Sequence, residues 1–213
     1  MKKTYLLILI GLFFFVNNLE AREVKGTIIF ENDTLDTTLK IPGYGLSSIP
    51  NYLKVQYKIK YYDKNRALRV LRPKDAKEIR FTFKGRNIRM LSRPNTNGLG
   101  GFSLTSSTYI FLKVVELELE GKAKLFNVYI TEIGPAVILG LGGASPGASA
   151  NMSKKYVLEK EGGELIRVRT LSFKKDMIKY FSDCPELVKK IKDKEFRMRD
   201  LEMLVVFYND RCE

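Results

Sequence analysis

Fourteen Lys and Arg lie between Lys54 and Arg93, against three acids, Asp63, Asp75 and Glu78. Those 40 residues carry +11 of a total net charge of +13. Many of the bases alternate with apolar residues. In Lys54–Tyr62, Val55, Tyr57, Ile59 and Tyr61 interleave with Lys54, Gln56, Lys58, Lys60 and Tyr62, and in Ile79–Lys84, Ile79, Phe81 and Phe83 interleave with Arg80, Thr82 and Lys84. A period of two marks strands with one buried and one wet face. The pattern therefore predicts a basic sheet face, with Lys54, Lys58, Lys60, Arg80, Lys84 and Arg89 as candidate anion-binding residues. Its chemistry would be electrostatic capture of a polyanion. In an exported chain an acidic polysaccharide or an anionic lipid surface is nearer to hand than nucleic acid.

Other chemistries have less to stand on. The chain has no His, which excludes Ser-His-Asp and Cys-His catalysis and every imidazole metal site. It has no Trp, the commonest flat platform for sugars, although eleven Tyr remain. Asp33, Asp36, Asp63 and Asp75 would be the acid–base residues of a carboxylate-dependent hydrolase with a loop-lined cleft. All four sit near turns, where Asp is favoured for backbone reasons alone, and no pair has a distinguishing spacing. The Gly140-Leu141-Gly142-Gly143 string lacks the order of a dinucleotide fingerprint and the Lys-Ser/Thr of a P-loop. No catalytic residue, metal site or cofactor is assigned.

Cys184 and Cys212 are the only cysteines. Two cysteines in an exported chain generally pair, whereas a redox thiol would want a Cys-x-x-Cys motif or a basic partner. A bridge would close a loop of roughly 29 residues, worth roughly 3.5 kcal/mol on the chain-entropy account.

Export itself is expected from Met1–Ala21, which has the three parts of a signal peptide. Lys2 and Lys3 precede an apolar run, Tyr5–Val16, and Asn17–Ala21 is a polar exit. The run is too short to span a bilayer, which needs about 20 apolar residues. From Arg22 onward there are 35 bases and 23 acids.

The elements that must position these residues fall into two textures. Residues 22–170 are strand, turn, strand, predicting a mainly antiparallel β domain: a meander, a sandwich or a partly open barrel. Expected strands are Val24–Phe30, Thr34–Ile41, Lys54–Tyr62, Arg66–Leu71, Ile79–Phe83, Asn87–Ser92, Tyr109–Leu119, Lys122–Thr131, Tyr156–Lys160 and Glu164–Arg169. Turns are expected at Glu120-Gly121-Lys122 and Gly162-Gly163, and residues 134–153 as a flexible Gly/Ala/Ser loop. Residues 171–213 change to a helical period. Phe173, Met177, Tyr180 and Phe181 share one face, and a second helix starts near Asp183 as N-cap with Leu187, Val188 and Ile191 inward. A third, from about Arg197 to Tyr208, turns Met198, Leu201, Leu204, Val205 and Tyr208 inward.

The order of parts resembles a broad group of uncharacterised exported proteins from Bacteroidetes. The resemblance rests on Val24-Lys25-Gly26-Thr27-Ile28-Ile29, on Arg72-Pro73-Lys74-Asp75 before a strand, and on Tyr156-Val157-Leu158-Glu159-Lys160 with Gly162-Gly163. Tyr180-Phe181-Ser182-Asp183-Cys184-Pro185 and Tyr208-Asn209-Asp210-Arg211-Cys212 complete it. It implies export and architecture, and no activity. The expectation is a secreted or periplasmic, non-catalytic binding or envelope-associated module whose basic face meets an anionic partner. The carboxylate hydrolase and a purely structural envelope protein are the alternatives. One row of acids would blunt the basic face: Glu116, Glu118 and Glu120, if their strand lay beside Lys54–Tyr62.

Overall fold

The computed structural model describes residues 21–43, 49–96, 99, 108–117, 121–133, 150–161, 163 and 165–212. The leader up to residue 20, most of the Gly/Ala/Ser segment, and Glu118 and Glu120 lie outside the described residues. The chain divides into two compact units, Met1–Ser92 and Arg93–Glu213. Each is mainly antiparallel β, and the second ends in a short helical segment.

The first unit is an open sheet. Its strands are β1 (Arg22–Ile29), β2 (Thr34–Ile41), β3 (Ile59–Tyr62), β4 (Leu68–Leu71), β5 (Glu78–Phe83) and β6 (Arg86–Pro94, entering the second unit at its last two residues). They lie in the order β6-β5-β1-β2-β3-β4, with β4 at the edge. Alternation decides which side is dry. Ile28, Leu39, Ile41, Ile59, Leu71, Ile79, Phe81, Ile88 and Met90 are buried. The register sets Ile28 opposite Ile79 and Ile59 opposite Leu71. Lys84-Gly85 closes the β5–β6 hairpin with both residues at positive φ, 49° and 76°, the two-residue turn whose twist matches the flanking strands. Gly26 is required by a close approach. A Cβ there would stand 2.6 Å from the Arg80 carbonyl oxygen and 2.6 Å from the Leu39 side chain.

One expected strand, Lys54–Tyr62, is strand only in its second half and helical at its start. Tyr52–Val55 forms α1, and β3 starts only at Ile59. Asn51 is the N-cap: its side-chain oxygen accepts from the Lys54 amide at 3.1 Å. Tyr52, Val55 and Gln56 are the buried residues, at i, i+3 and i+4. Val55 and Tyr57 also fit a period of two, so the alternation runs on through a segment whose cap and burial obey the helical period.

The second unit has β7 (Tyr109–Val114), β8 (Ala123–Ile133), β9 (Ala150–Lys160) and β10 (Ile166–Arg167), paired in that order. Strand β7 is shorter than the sequence pattern indicates, and Glu116 lies beyond its end. Strand β9 is longer: Ala150–Ser153, expected in the loop, pair with Ile130–Ile133. The register through eleven consecutive cross-strand pairs overrides the weak strand propensity of Asn151 and Ser153. Helices α2 (Phe173–Tyr180), α3 (Pro185–Lys192) and α4 (Leu201–Arg211) come next.

The helical segment packs on one face of β8 and β9. Phe173, Met177, Phe181, Leu187, Ile191, Leu204, Val205 and Tyr208 form one core with Ala123, Leu125 and Leu158. Cys184 and Cys212 are joined by a disulfide, with Cα atoms 5.5 Å apart. The N-cap of α3 is Cys184 and not Asp183. Asp183 looks instead toward β9 and α4, accepting from the Lys160 ammonium at 2.8 Å and from the Tyr208 hydroxyl at 2.6 Å. Where β7 has left the edge of β8, Asn209 takes the place of a strand. Its side-chain oxygen accepts from the Ala123 amide at 2.8 Å, and its amide donates to the Ala123 carbonyl at 3.0 Å.

Candidate functional site

Residues directly opposite in an antiparallel pair share a face. The wet face of the first unit can therefore be read across the register. Arg89 faces Arg80, and Arg80 faces Thr27, which in turn faces Asp36. Glu23 faces Lys40, Lys40 faces Lys60, and Lys60 faces Val70. Lys25 faces Thr38, and Tyr62 faces Leu68. Of the six candidate residues, Lys60, Arg80 and Arg89 lie on this one face. The other three do not belong to it as a set. Lys54 is on α1, Lys58 just precedes β3, and Lys84 occupies the β5–β6 turn.

The two arginines are compensated. Arg80 and Arg89 both donate to Oε1 of Glu78, at 2.5 and 2.7 Å. The Glu78 carboxylate is itself only 8% exposed. Burial works against its charge, yet the two guanidiniums together hold it below the usual Glu value. The arginine pair is thus a structural device that removes like-charge repulsion between neighbouring strands. Its acid is Glu78. The neighbours of β3 are β2 and β4, and Glu118 and Glu120 lie outside the described residues.

The lysines differ. Lys40 is held by Glu23 at 3.3 Å and lies over the Tyr62 ring at 5.3 Å. Tyr62 donates to the same Glu23 carboxylate, and that hydrogen bond, with the one from Lys40, lowers the Glu23 pKa. Lys25, Lys54, Lys58, Lys60 and Lys84 are exposed and have no carboxylate at ion-pair distance among the described residues. Lys60 stands directly opposite Lys40, a cation against a cation.

Asp33, Asp63 and Asp75 are engaged with their own turns, and Asp36, inside β2, with the neighbouring strand. Asp63 accepts from the Asn65 and Ala67 amides, each at 2.9 Å, and from Arg69. Asp33 accepts from the Thr34 amide, Asp75 from the Arg72 amide, and Asp36 from the Thr27 hydroxyl. No cluster of three metal-ligating side chains occurs among the described residues.

A second basic locus lies in the second unit, where β8 begins and β9 ends. A cavity of about 360 Å³ is lined by residues including Arg93, Lys122, Lys124, Glu159 and Lys160. Its strongest cations are committed. Arg93 forks onto Glu159 at 2.5 and 2.9 Å and stacks over Phe126. Lys160 is bound by Asp183 and the Tyr180 carbonyl, with three aromatic rings within 6.0 Å.

Sequence reasoning missed Lys25 and Lys40 as members of the wet face, and it sets Tyr62 on the side of Lys60 without making it a site residue. Lys25 and Lys40 lie outside the stretch where charge is densest, although each alternates with an inward neighbour, Val24 and Leu39. It also missed that Glu78 serves two arginines, which is set by register and not by composition. The chain matches no protein-family model, no curated protein and no solved structure.

Proposed function

We propose that this protein is a non-catalytic binding module of the cell envelope, which holds an anionic partner on the basic face of its first unit. The observation that carries the reading is the set of exposed, uncompensated lysines, Lys60 and Lys25 on the sheet and Lys54 and Lys58 beside it. Between Arg22 and Arg89 there are sixteen bases and seven acids, so a net +9 remains after every acid has been counted. Residual positive potential of this size attracts polyanions and is screened over about 8 Å at physiological salt. Export is part of the proposal. It is supported by the three-part leader and by the Cys184–Cys212 disulfide. The engaged state of the turn carboxylates favours binding over acid hydrolysis.

The test is retention of the mature, oxidised chain on immobilised dextran sulfate. Wild type should bind at low ionic strength and elute well before roughly 1 M salt, where the Debye length is about 3 Å. Lys54→Gln, Lys58→Gln and Lys60→Gln together should elute earlier with an unchanged melting temperature. Failure to bind at low salt would sink the reading. A triple variant that binds as wild type would move the site elsewhere.

A further inference from the structure

The wet face is not uniformly polar, and its apolar part adjoins its uncompensated lysine. Leu68 and Val70 on the edge strand β4 are 45% and 52% exposed. The register places Val70 directly opposite Lys60 and Leu68 directly opposite Tyr62. Their neighbours along the chain, Arg69 and Leu71, face the other way, and Leu71 is 2% exposed in the core. So two aliphatic side chains, one tyrosine ring and the Lys40–Lys60 pair share a single surface.

We infer that this patch, Lys40, Lys60, Tyr62, Leu68 and Val70, docks on an anionic lipid bilayer, and the inference rests on the anion-binding reading above. A bilayer surface offers both halves of what the patch presents. Its headgroups supply the negative charge that Lys60 lacks, and the acyl boundary takes aliphatic side chains that are bare in water. Tyr suits the same depth, its ring apolar and its hydroxyl wet. A soluble acidic polysaccharide would satisfy the lysines but leave Leu68 and Val70 against water. A second copy of the chain would set Lys40 and Lys60 against their own counterparts, and like charges across an interface are costly. The arrangement also accounts for an edge strand that keeps two aliphatic residues exposed. Edges are ordinarily blunted with charge because bare apolar edges aggregate.

The experiment compares the full mature chain with a Leu68→Thr/Val70→Thr variant and with Lys60→Gln. Thr keeps strand propensity, and melting curves confirm that both variants are folded. The probes are vesicles of phosphatidylglycerol with phosphatidylcholine, vesicles of phosphatidylcholine alone, and soluble polygalacturonate. Wild type should cosediment with the anionic vesicles and not with the neutral ones. The double Thr variant should bind anionic vesicles roughly tenfold more weakly, since about half of each aliphatic surface is lost from the contact. It should bind polygalacturonate as wild type does. Lys60→Gln should lose about fivefold on the anionic vesicles. Equal vesicle binding by wild type and the Thr variant would overturn the lipid inference while leaving anion binding in place, as would a preference for polygalacturonate over vesicles. Binding to neither probe would remove both readings.

Discussion

Lys160 in the second unit and Lys60 in the first are the same residue on comparable strands, and they are used in opposite ways. The Lys160 ammonium donates to Asp183 and to the Tyr180 carbonyl, and the rings of Tyr180, Phe181 and Tyr208 surround it at 5.3, 6.0 and 5.5 Å. Its donors and its apolar approaches are taken up by its own chain. Lys60 is exposed, opposes another lysine and has no carboxylate at ion-pair distance among the described residues. The units differ in the same sense as wholes. From Arg22 to Arg89 the bases exceed the acids by nine, whereas from Arg93 onward nineteen bases stand against sixteen acids. In the second unit Lys160 is drawn into the helix–sheet junction that the disulfide also ties, whereas in the first unit Lys60 faces solvent. A lysine count alone cannot tell these two uses apart, because only the register and the neighbours show which ammonium is already satisfied.

The contrast is broken most forcefully in the second unit. Phe181 is fully buried between Tyr180 and Tyr208, with ring centroids at 5.0 and 4.8 Å. Phe181→Ala should destabilise the protein by about 3–5 kcal/mol, the usual range for a large buried aromatic. It should leave dextran sulfate binding by the folded fraction unchanged. Urea denaturation and retention on the column check both halves. A parallel fall in binding would mean that the helical segment supports the anion surface after all.

Next in size is the disulfide. Reduction, or Cys184→Ser with Cys212→Ser, should lower stability by about 2–4 kcal/mol, since the bridge closes the loop that carries α3 and α4. The loss should register in thermal melts followed by near-ultraviolet circular dichroism, to which the packed rings of Tyr180, Phe181 and Tyr208 contribute. A melt indifferent to reductant would show that the aromatic core holds the helices without the bridge.

Much of the frame behind these two predictions is legible in the sequence. Thr34–Ile41 forms with the expected ends, and the cysteines pair. The inward sets Phe173, Met177, Phe181 and Leu201, Leu204, Val205, Tyr208 are buried. Strong amphipathic periods carry that information locally. The candidate surface is legible only in half. Lys60, Arg80 and Arg89 do share a face, but Lys54 reads as strand because Val55 and Tyr57 satisfy a period of two as well as a helix. Nor does composition reveal that Arg80 and Arg89 are consumed by Glu78, because strand order and register are non-local. Asp183 misleads for a similar reason: its Asp-Cys-Pro-Glu context fits a helix cap, while its actual partners come from residues 23 and 25 positions away.

Glu78 sharpens the contrast from inside the first unit. Replacing it with Gln would leave two guanidiniums facing each other on adjacent strands. Stability should fall by about 2 kcal/mol, less than for a fully buried pair because Arg80 is 54% exposed. Retention on dextran sulfate should rise, since a negative charge is removed from beside two arginines. The pH dependence has a definite sign. Glu78 is held below its ordinary value in the folded protein, whereas in the unfolded chain it titrates near about 4.3. Its contribution is therefore complete above that value and is lost as pH falls through the lower, folded pKa. The Gln variant should lack this part of the acid destabilisation. If it keeps the wild-type acid profile, Glu78 is not the acid that couples the two arginines.

The smallest effect on stability tests the other side of the comparison, and its sign matters more than its size. Lys40 and Lys60 are directly opposite, a placement that disfavours folding by a few tenths of a kcal/mol relative to an unlike pair. Lys60→Glu would convert that row into an attractive one, with Lys40 between two carboxylates, that of Glu23 and the one introduced on β3. Stability should therefore rise slightly, within about 1 kcal/mol as for exposed charges generally. Affinity for dextran sulfate should fall, because a positive charge is replaced by a negative one on the binding face. A variant that is more stable yet binds less well would mean that the like-charge pair is kept for a partner and not for the fold. Differential scanning calorimetry and salt-dependent retention on the same samples would decide it. If Lys60→Glu instead loses stability, Lys60 is a structural charge like Lys160, and the distinction between the two lysines disappears.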